Sequence, residues 1–137
     1  MRLTAIVFLL PALLLPIAGS EAEVGGVVGN GGVRLFTVAA VPGYTAAQRV
    51  EVIQKRLIDI LSSIRKGQDP GVAVRVEDGA PVIYVRGLQL VTVTWRDGQL
   101  HSTPPQQLAT FWADVLRTKL PVIAPDTAGG ARDTWAR

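Results

Sequence analysis

Between Thr45 and Gly67, apolar side chains return at helical spacing: Ala46, Val50, Ile53, Leu57, Ile60, Leu61 and Ile64. That recurrence puts them on one stripe of a helix, with Gln48, Glu51, Lys55, Asp59 and Ser62 on the opposite side. Thr45 followed by Gln48 has the form of a capping box at the helix start. Glu51 precedes Lys55 by one turn, the favourable order for a helix pair. Arg65, Lys66 and Gly67 supply a C-terminal signal. Upstream, "VRLFTVAAV" (33–41) is rich in β-branched and aromatic residues and runs into Pro42-Gly43, which reads as a strand closed by a turn.

Beyond the helix the period changes from helical to alternating. After a turn at Asp69-Pro70-Gly71, "VAVRVE" (72–77) places Val72, Val74 and Val76 on one face and Ala73, Arg75 and Glu77 on the other, the pattern of a half-buried strand. "DGAP" (78–81) is a turn and "VIYVR" (82–86) a second strand. Gly87 and Gln89 mark a reversal into "LVTVTW" (90–95). There Val91, Val93 and Trp95 share one face, and Leu90, Thr92 and Thr94 the other. Arg96-Asp97-Gly98-Gln99 ends that strand as a turn. A second helix is predicted from Thr103, with Pro104 in its first turn and Gln106 completing a box-like cap. Its stripe holds Leu108, Phe111, Trp112, Val115, Leu116 and Leu120, and Pro121 stops it. The order β-α-β-β-β-α predicts an α+β fold: a small mixed sheet of about four strands with both helices packed on one face, formed by residues 33–121 as one domain.

The ends of the chain read differently. Met1-Arg2 and the uncharged run from Leu3 to Gly19 have the three-part form of a secretory signal peptide, residues 1–20, with cleavage expected after Ser20 or, as a second option, after Ala22. The apolar run is short for a membrane span and is interrupted by Pro11 and Pro16. No second long apolar run follows, so the expected location is periplasmic or secreted, with no transmembrane helix in the mature chain. Residues 21–32, "EAEVGGVVGNGG", read as a flexible Gly-rich leader. Residues 122–137 read as a flexible tail, in which Trp135 is a solvated aromatic or, less simply, an anchor for a partner.

Composition removes several classes of chemistry. The chain has no cysteine, which excludes disulfides, thiolate metal sites and a lipid-modified cysteine. A formal charge of +3 with interspersed signs is a poor electrostatic footprint for nucleic acid. His101 is the only histidine. It stands between a turn and a helix start, without a nucleophile motif or the companions that metal ligation needs. Asp69, Glu77 and Asp78 fit strand-end turns and lack the spacing of a calcium loop. The glycines of 25–32 lack the strand-turn-helix setting of a phosphate cradle. Arg49, Lys55, Arg56, Arg65 and Lys66 lie on or beside the polar face of the first helix. Glu51 and Asp59 among them favour a solvated face over a docking surface for acidic lipids or a partner. No catalytic, cofactor-binding or metal-binding residue is therefore assigned, no cofactor is implied, and the chain is read as a non-enzyme.

Three stretches carry a family resemblance: "LFTV…PGYTAAQRVEVIQKRL", "PVIYVRGLQLVTVTWRD" and "LATFWADVLRTKL". In order and spacing they resemble the N-terminal extramembrane domain of bacterial, notably cyanobacterial, small-conductance mechanosensitive ion channel proteins, over about residues 34–120. Such proteins continue into membrane helices and a pore-lining segment, and no such segment follows here, so conduction is not carried over. The resemblance implies an exported soluble interaction or sensory module that meets an envelope protein or a membrane surface. The alternative is a periplasmic small-ligand binder or enzyme using a pocket between sheet and helices.

Overall fold

A computed structural model describes residues 25–126. The expected signal peptide, and Trp135 with the end of the expected tail, lie outside the described residues. The elements run β1 (Gly26–Asn30), β2 (Val33–Val38), α1 (Ala46–Leu61), β3 (Val72–Glu77), β4 (Ala80–Val85), β5 (Leu88–Thr92), α2 (Trp95–His101) and α3 (Pro105–Ile123). The fold is α+β, as its periodicities predict. The strands do not form one sheet, however. β1 and β2 make an antiparallel hairpin, and β3-β4-β5 make a separate antiparallel meander. α1 packs on β1, β2 and β5, whereas α3 packs on β2, β3 and β4.

The two short turns of the meander are set by local chemistry. Asp78-Gly79 and Arg86-Gly87 each hold two successive positive φ angles, 51° and 80° in the first and 54° and 80° in the second. That is what a two-residue turn needs to match the twist of its strands. On the meander's exposed surface the Tyr84 hydroxyl donates to Glu77 Oε1 at 2.6 Å. The Arg75 guanidinium lies 4.7 Å from the centre of the same ring.

The Gly-rich segment is the first correction. Residues 26–30, expected within a flexible leader, form β1, and Val28 is completely buried. Glycine content argues against a strand locally, but here the glycines permit close packing. A Cβ on Gly26 would sit 2.5 Å from Val50 Cγ2 of α1, so β1 can lie against the helix only without one. Gly29 N–H donates to Gln54 Oε1 of the same helix at 3.0 Å.

α1 begins as expected. Thr45 Oγ1 accepts from Gln48 N–H at 3.1 Å, and Gln48 Oε1 accepts from Thr45 N–H at 2.9 Å. It ends at Leu61, earlier than the Arg65-Lys66-Gly67 signal. The hydroxyls of Ser62 and Ser63 donate back to Asp59 O and Ile60 O, the local competition that discourages further helix. Ile64 is still fully buried beyond the helix end. Glu51 and Lys55 form no ion pair.

Three further boundaries move. β5 ends at Thr92, and Trp95 to His101, expected as strand end and turn, form α2. Thr103 does not cap α3. Its N–H is spent on Gly98 O, closing α2 behind left-handed Ser102, and its hydroxyl donates to His101 O. α3 therefore starts at Pro105 behind Pro104, an N-cap that makes no side-chain hydrogen bond. Finally, α3 passes through Pro121 to Ile123. A proline one turn from the end removes a single hydrogen bond. The flanking turn is held by Gly67 N–H on Pro121 O and Lys66 N–H on Pro125 O, and Leu120 and Ala124 are buried.

One core joins both sheets. Trp112 of α3 is 1% exposed and stacks on Phe36 of β2 with ring centres 4.5 Å apart. Phe111, placed by its spacing in the same stripe, instead points outward at 64% exposure. The predicted stripe was one residue too broad.

Trp112→Ala should cost about 3–5 kcal/mol, measured as a fall in the chemical unfolding midpoint. Deleting residues 26–32 should abolish cooperative unfolding, because it exposes the face of α1 that β1 covers. A flexible leader would be removed without that effect. The Glu77 hydrogen bond, followed by slight desolvation and the Glu77 charge, raises the Tyr84 pKa, against a smaller opposing effect of Arg75. The bond's contribution is thus present below the ordinary tyrosine range and is lost as pH rises through the raised folded value. Glu77→Gln should bring the Tyr84 ionisation to lower pH in an ultraviolet titration.

Candidate functional site

Asp97 is expected in a turn and is instead wholly buried, the one buried charged residue among those described. It is the third residue of α2, and its carboxylate gathers five donors. Oδ1 accepts from Ala39 N–H at 2.8 Å and Arg49 Nη1 at 2.8 Å. Oδ2 accepts from Arg49 Nη2 at 3.1 Å, Thr94 N–H at 2.8 Å and Thr94 Oγ1 at 2.9 Å. Thr94 Oγ1 in turn accepts from Asp97 N–H at 3.2 Å, a capping box with an aspartate in the usual glutamate position.

Arg49, expected on a solvated face, is 11% exposed. It also donates from Nη1 to Ala39 O at 2.6 Å and from Nη2 to Thr92 O at 3.1 Å. Four of its five N–H groups are thereby used, which leaves the Nε–H. The pair satisfies the backbone of Ala39, just past β2, and of Thr92, at the end of β5. It does so where no ladder joins the two sheets.

His101 is not a loop residue. It ends α2, and Nε2 lies 2.7 Å from Thr37 O. A carbonyl only accepts, so that nitrogen carries the proton. The ring meets Trp112 edge-on, with centres 5.8 Å apart. The ring contact and the Nε2 donor tie the end of α2 to α3 and β2. Asp69 Oδ1 accepts from Gly71 N–H at 2.9 Å, the turn role expected of it. Among the described residues, no group of three His, Asp or Glu side chains is placed to hold a metal ion.

The structure opens instead between α1 and the outer edge of β5. A groove of about 330 Å³ has Val41, Tyr44, Val52, Ile53 and Val91 as its apolar surface. Arg49, Arg56, Gln89, Thr92 and Thr94 supply its polar side. Tyr44 and Val52 are 57% and 42% exposed. Pro42-Gly43 positions Tyr44: Val41 and Tyr44 exchange two 3.0 Å backbone hydrogen bonds across that turn. Arg56 lies one helical turn beyond Val52. Its Nη1 donates to Leu90 O at 3.3 Å, and it pairs with no carboxylate. The sequence gives no sign of a site role for Tyr44, Val52 or Gln89, the last of which reads only as part of a reversal. Val52 lies off the buried stripe, and nothing local says that an edge strand passes beside it.

A second cleft, of about 570 Å³, is lined by Arg65, Lys66 and Arg86 together with Ser63, Gly67 and Gln68. Lys66 faces Asp126 at 3.4 Å, and both partners are largely exposed.

The family described as Domain of unknown function (DUF8459) matches residues 27–121, a span from β1 nearly to the end of α3. No curated protein and no solved structure matches the chain.

Removing one member of the buried pair strands the other. Asp97→Ala should cost about 3–5 kcal/mol. Arg49→Lys should also destabilise, because an ammonium cannot reproduce the fork. The loss should persist in high salt, since buried pairs are screened little. Thermal unfolding of the two variants at low and high salt measures this.

Proposed function

The chain belongs to the DUF8459 family, and from that premise we propose that it is an exported module acting by association with an envelope protein rather than by catalysis. The observation that carries this reading is the division of polar groups around the α1–β5 groove. Arg49, Thr94 and Asp97 are spent on one another and on the backbone. They do not converge on an open point where a reacting atom could sit. The groups left over are the exposed Tyr44 and Val52 and the Arg56 guanidinium, an apolar surface with a charged margin, which suits recognition.

Among the described residues, no helix is long and apolar enough to cross a membrane. Export rests on the N-terminal sequence alone. The periplasmic address and the likeness to extramembrane domains of mechanosensitive channel proteins belong to this proposal. The likeness rests mainly on core patterning: of its motif positions, Leu35, Ile53, Leu57, Ile83, Leu90, Trp112 and Leu116 are buried. Core patterning speaks to fold before partner.

A photo-crosslinking side chain at Val52, in the full chain expressed in intact cells, should give a light-dependent adduct with an envelope protein. The same group at Thr110, exposed on α3, should not. Adducts that are absent, or equal at both positions, would overturn the groove as the contact surface. The purified protein should have an intact mass beginning at Glu21 or Glu23. A chain retaining Met1 in the membrane fraction would overturn export by cleavage.

A further inference from the structure

The hydrogen-bonding groups of the α1–β5 groove are one-sided. Val91 pairs with Ile83 of β4, and Val93 N–H donates to Pro81 O at 2.8 Å. Thr92, between them, therefore turns both its N–H and its C=O away from β4 and toward α1. The carbonyl is taken by Arg49 at 3.1 Å, and the next groove-facing carbonyl, of Leu90, by Arg56 at 3.3 Å. Thr92 N–H meets no acceptor among the described residues. Arg56 has further N–H groups and no carboxylate beside it.

This edge offers donors and a positive charge, while its strand acceptors are occupied. A regular added strand would need donors and acceptors in alternation. A carboxylate needs donors only, and a guanidinium strengthens its hydrogen bonds.

We propose that the groove captures the free C-terminal carboxylate of an extended polypeptide whose last side chain is apolar. This rests on the groove being the contact surface, as argued above. The carboxylate lies between Arg56 and Thr92 N–H, and the last side chain covers Val52 and Val91. The preceding peptide unit reaches the Gln89 amide, which carries both a donor and an acceptor. A polypeptide end uses all three features. A fatty acid shares the carboxylate and the apolar tail but brings no peptide unit to the Gln89 amide, whose Nε2 otherwise has only a long 3.5 Å contact with Thr92 Oγ1.

The test uses the full mature chain, nitrogen-labelled, and three probes: a short acetylated peptide ending in two valines with a free carboxylate, the same peptide as its C-terminal amide, and octanoate. The free-acid peptide should shift the Thr92 amide and Arg56 Nε signals and bind at least about tenfold more tightly than the amide. Arg56→Gln should remove that preference while cooperative unfolding is kept, because Arg56 is exposed, has no ion pair and makes a single 3.3 Å hydrogen bond, to Leu90 O. Equal binding of acid and amide, or binding of neither, overturns carboxylate capture. Octanoate binding as tightly as the free-acid peptide overturns the polypeptide as its source. If peptide discrimination fails while the Val52 crosslink still forms, the groove reading survives and the carboxylate falls. If both fail, both fall.

Discussion

The fold depends on the contact between Arg49 and Asp97. Two antiparallel sheets meet near the ends of β2 and β5, where no backbone ladder connects them. Strand ends brought together in a core present unpaired carbonyls and N–H groups, each costly to bury without a partner. Here one guanidinium covers the carbonyls of Ala39 and Thr92, and one carboxylate covers the N–H groups of Ala39 and Thr94. The two charges then neutralise each other in bidentate geometry. A buried pair of this kind is weak evidence of net stability, because desolvation offsets most of the attraction. What it provides is position. Hydrophobic side chains could not satisfy four backbone groups on three residues, Ala39, Thr92 and Thr94, so the seam between the sheets is held where these two side chains can reach.

That seam also explains which parts of the fold were legible in the sequence. α1 and its capping box, the strand character of 72–77 and 82–85, and the burial of Trp112 follow from local period and local chemistry, and the structure agrees. Asp97-Gly98 has the composition of a turn. It becomes helix because the Asp97 carboxylate caps α2 through Thr94 and is fixed by Arg49, which stands 48 residues away. The same long-range contact takes Arg49 out of the polar face to which its helical position assigned it. The glycines before β2 fail as a disorder signal for a related reason. Their missing side chains make room for α1, a partner that a window of local composition does not include.

The groove was still less visible. Its apolar wall uses Val52, which helical periodicity places away from the core, and Tyr44, which periodicity leaves in a loop. Both gain meaning only because β5 is an edge strand lying beside α1. That arrangement depends on β1 and β2 forming their own sheet, with α1 spanning the gap between the two. Arg49 serves the seam and one wall of the groove at once.

The same geometry separates stability from recognition around one opening. Arg49, Thr92 and Thr94 face the groove, yet their side-chain or carbonyl oxygen and nitrogen atoms hold the seam. Changing Arg49 or Thr94 acts on the fold before it acts on any partner. Tyr44, Val52, Arg56 and Gln89 face the same space, are exposed and make few internal bonds. An exposed edge strand is ordinarily a hazard, because its free backbone groups invite pairing with another chain. The two arginines occupy the acceptors of β5 and leave a donor, so pairing along the whole edge is disfavoured while a ligand rich in acceptors is not. If the groove binds as proposed, a protected edge and a selective site are one physical arrangement, set by which backbone atoms the guanidinium groups cover.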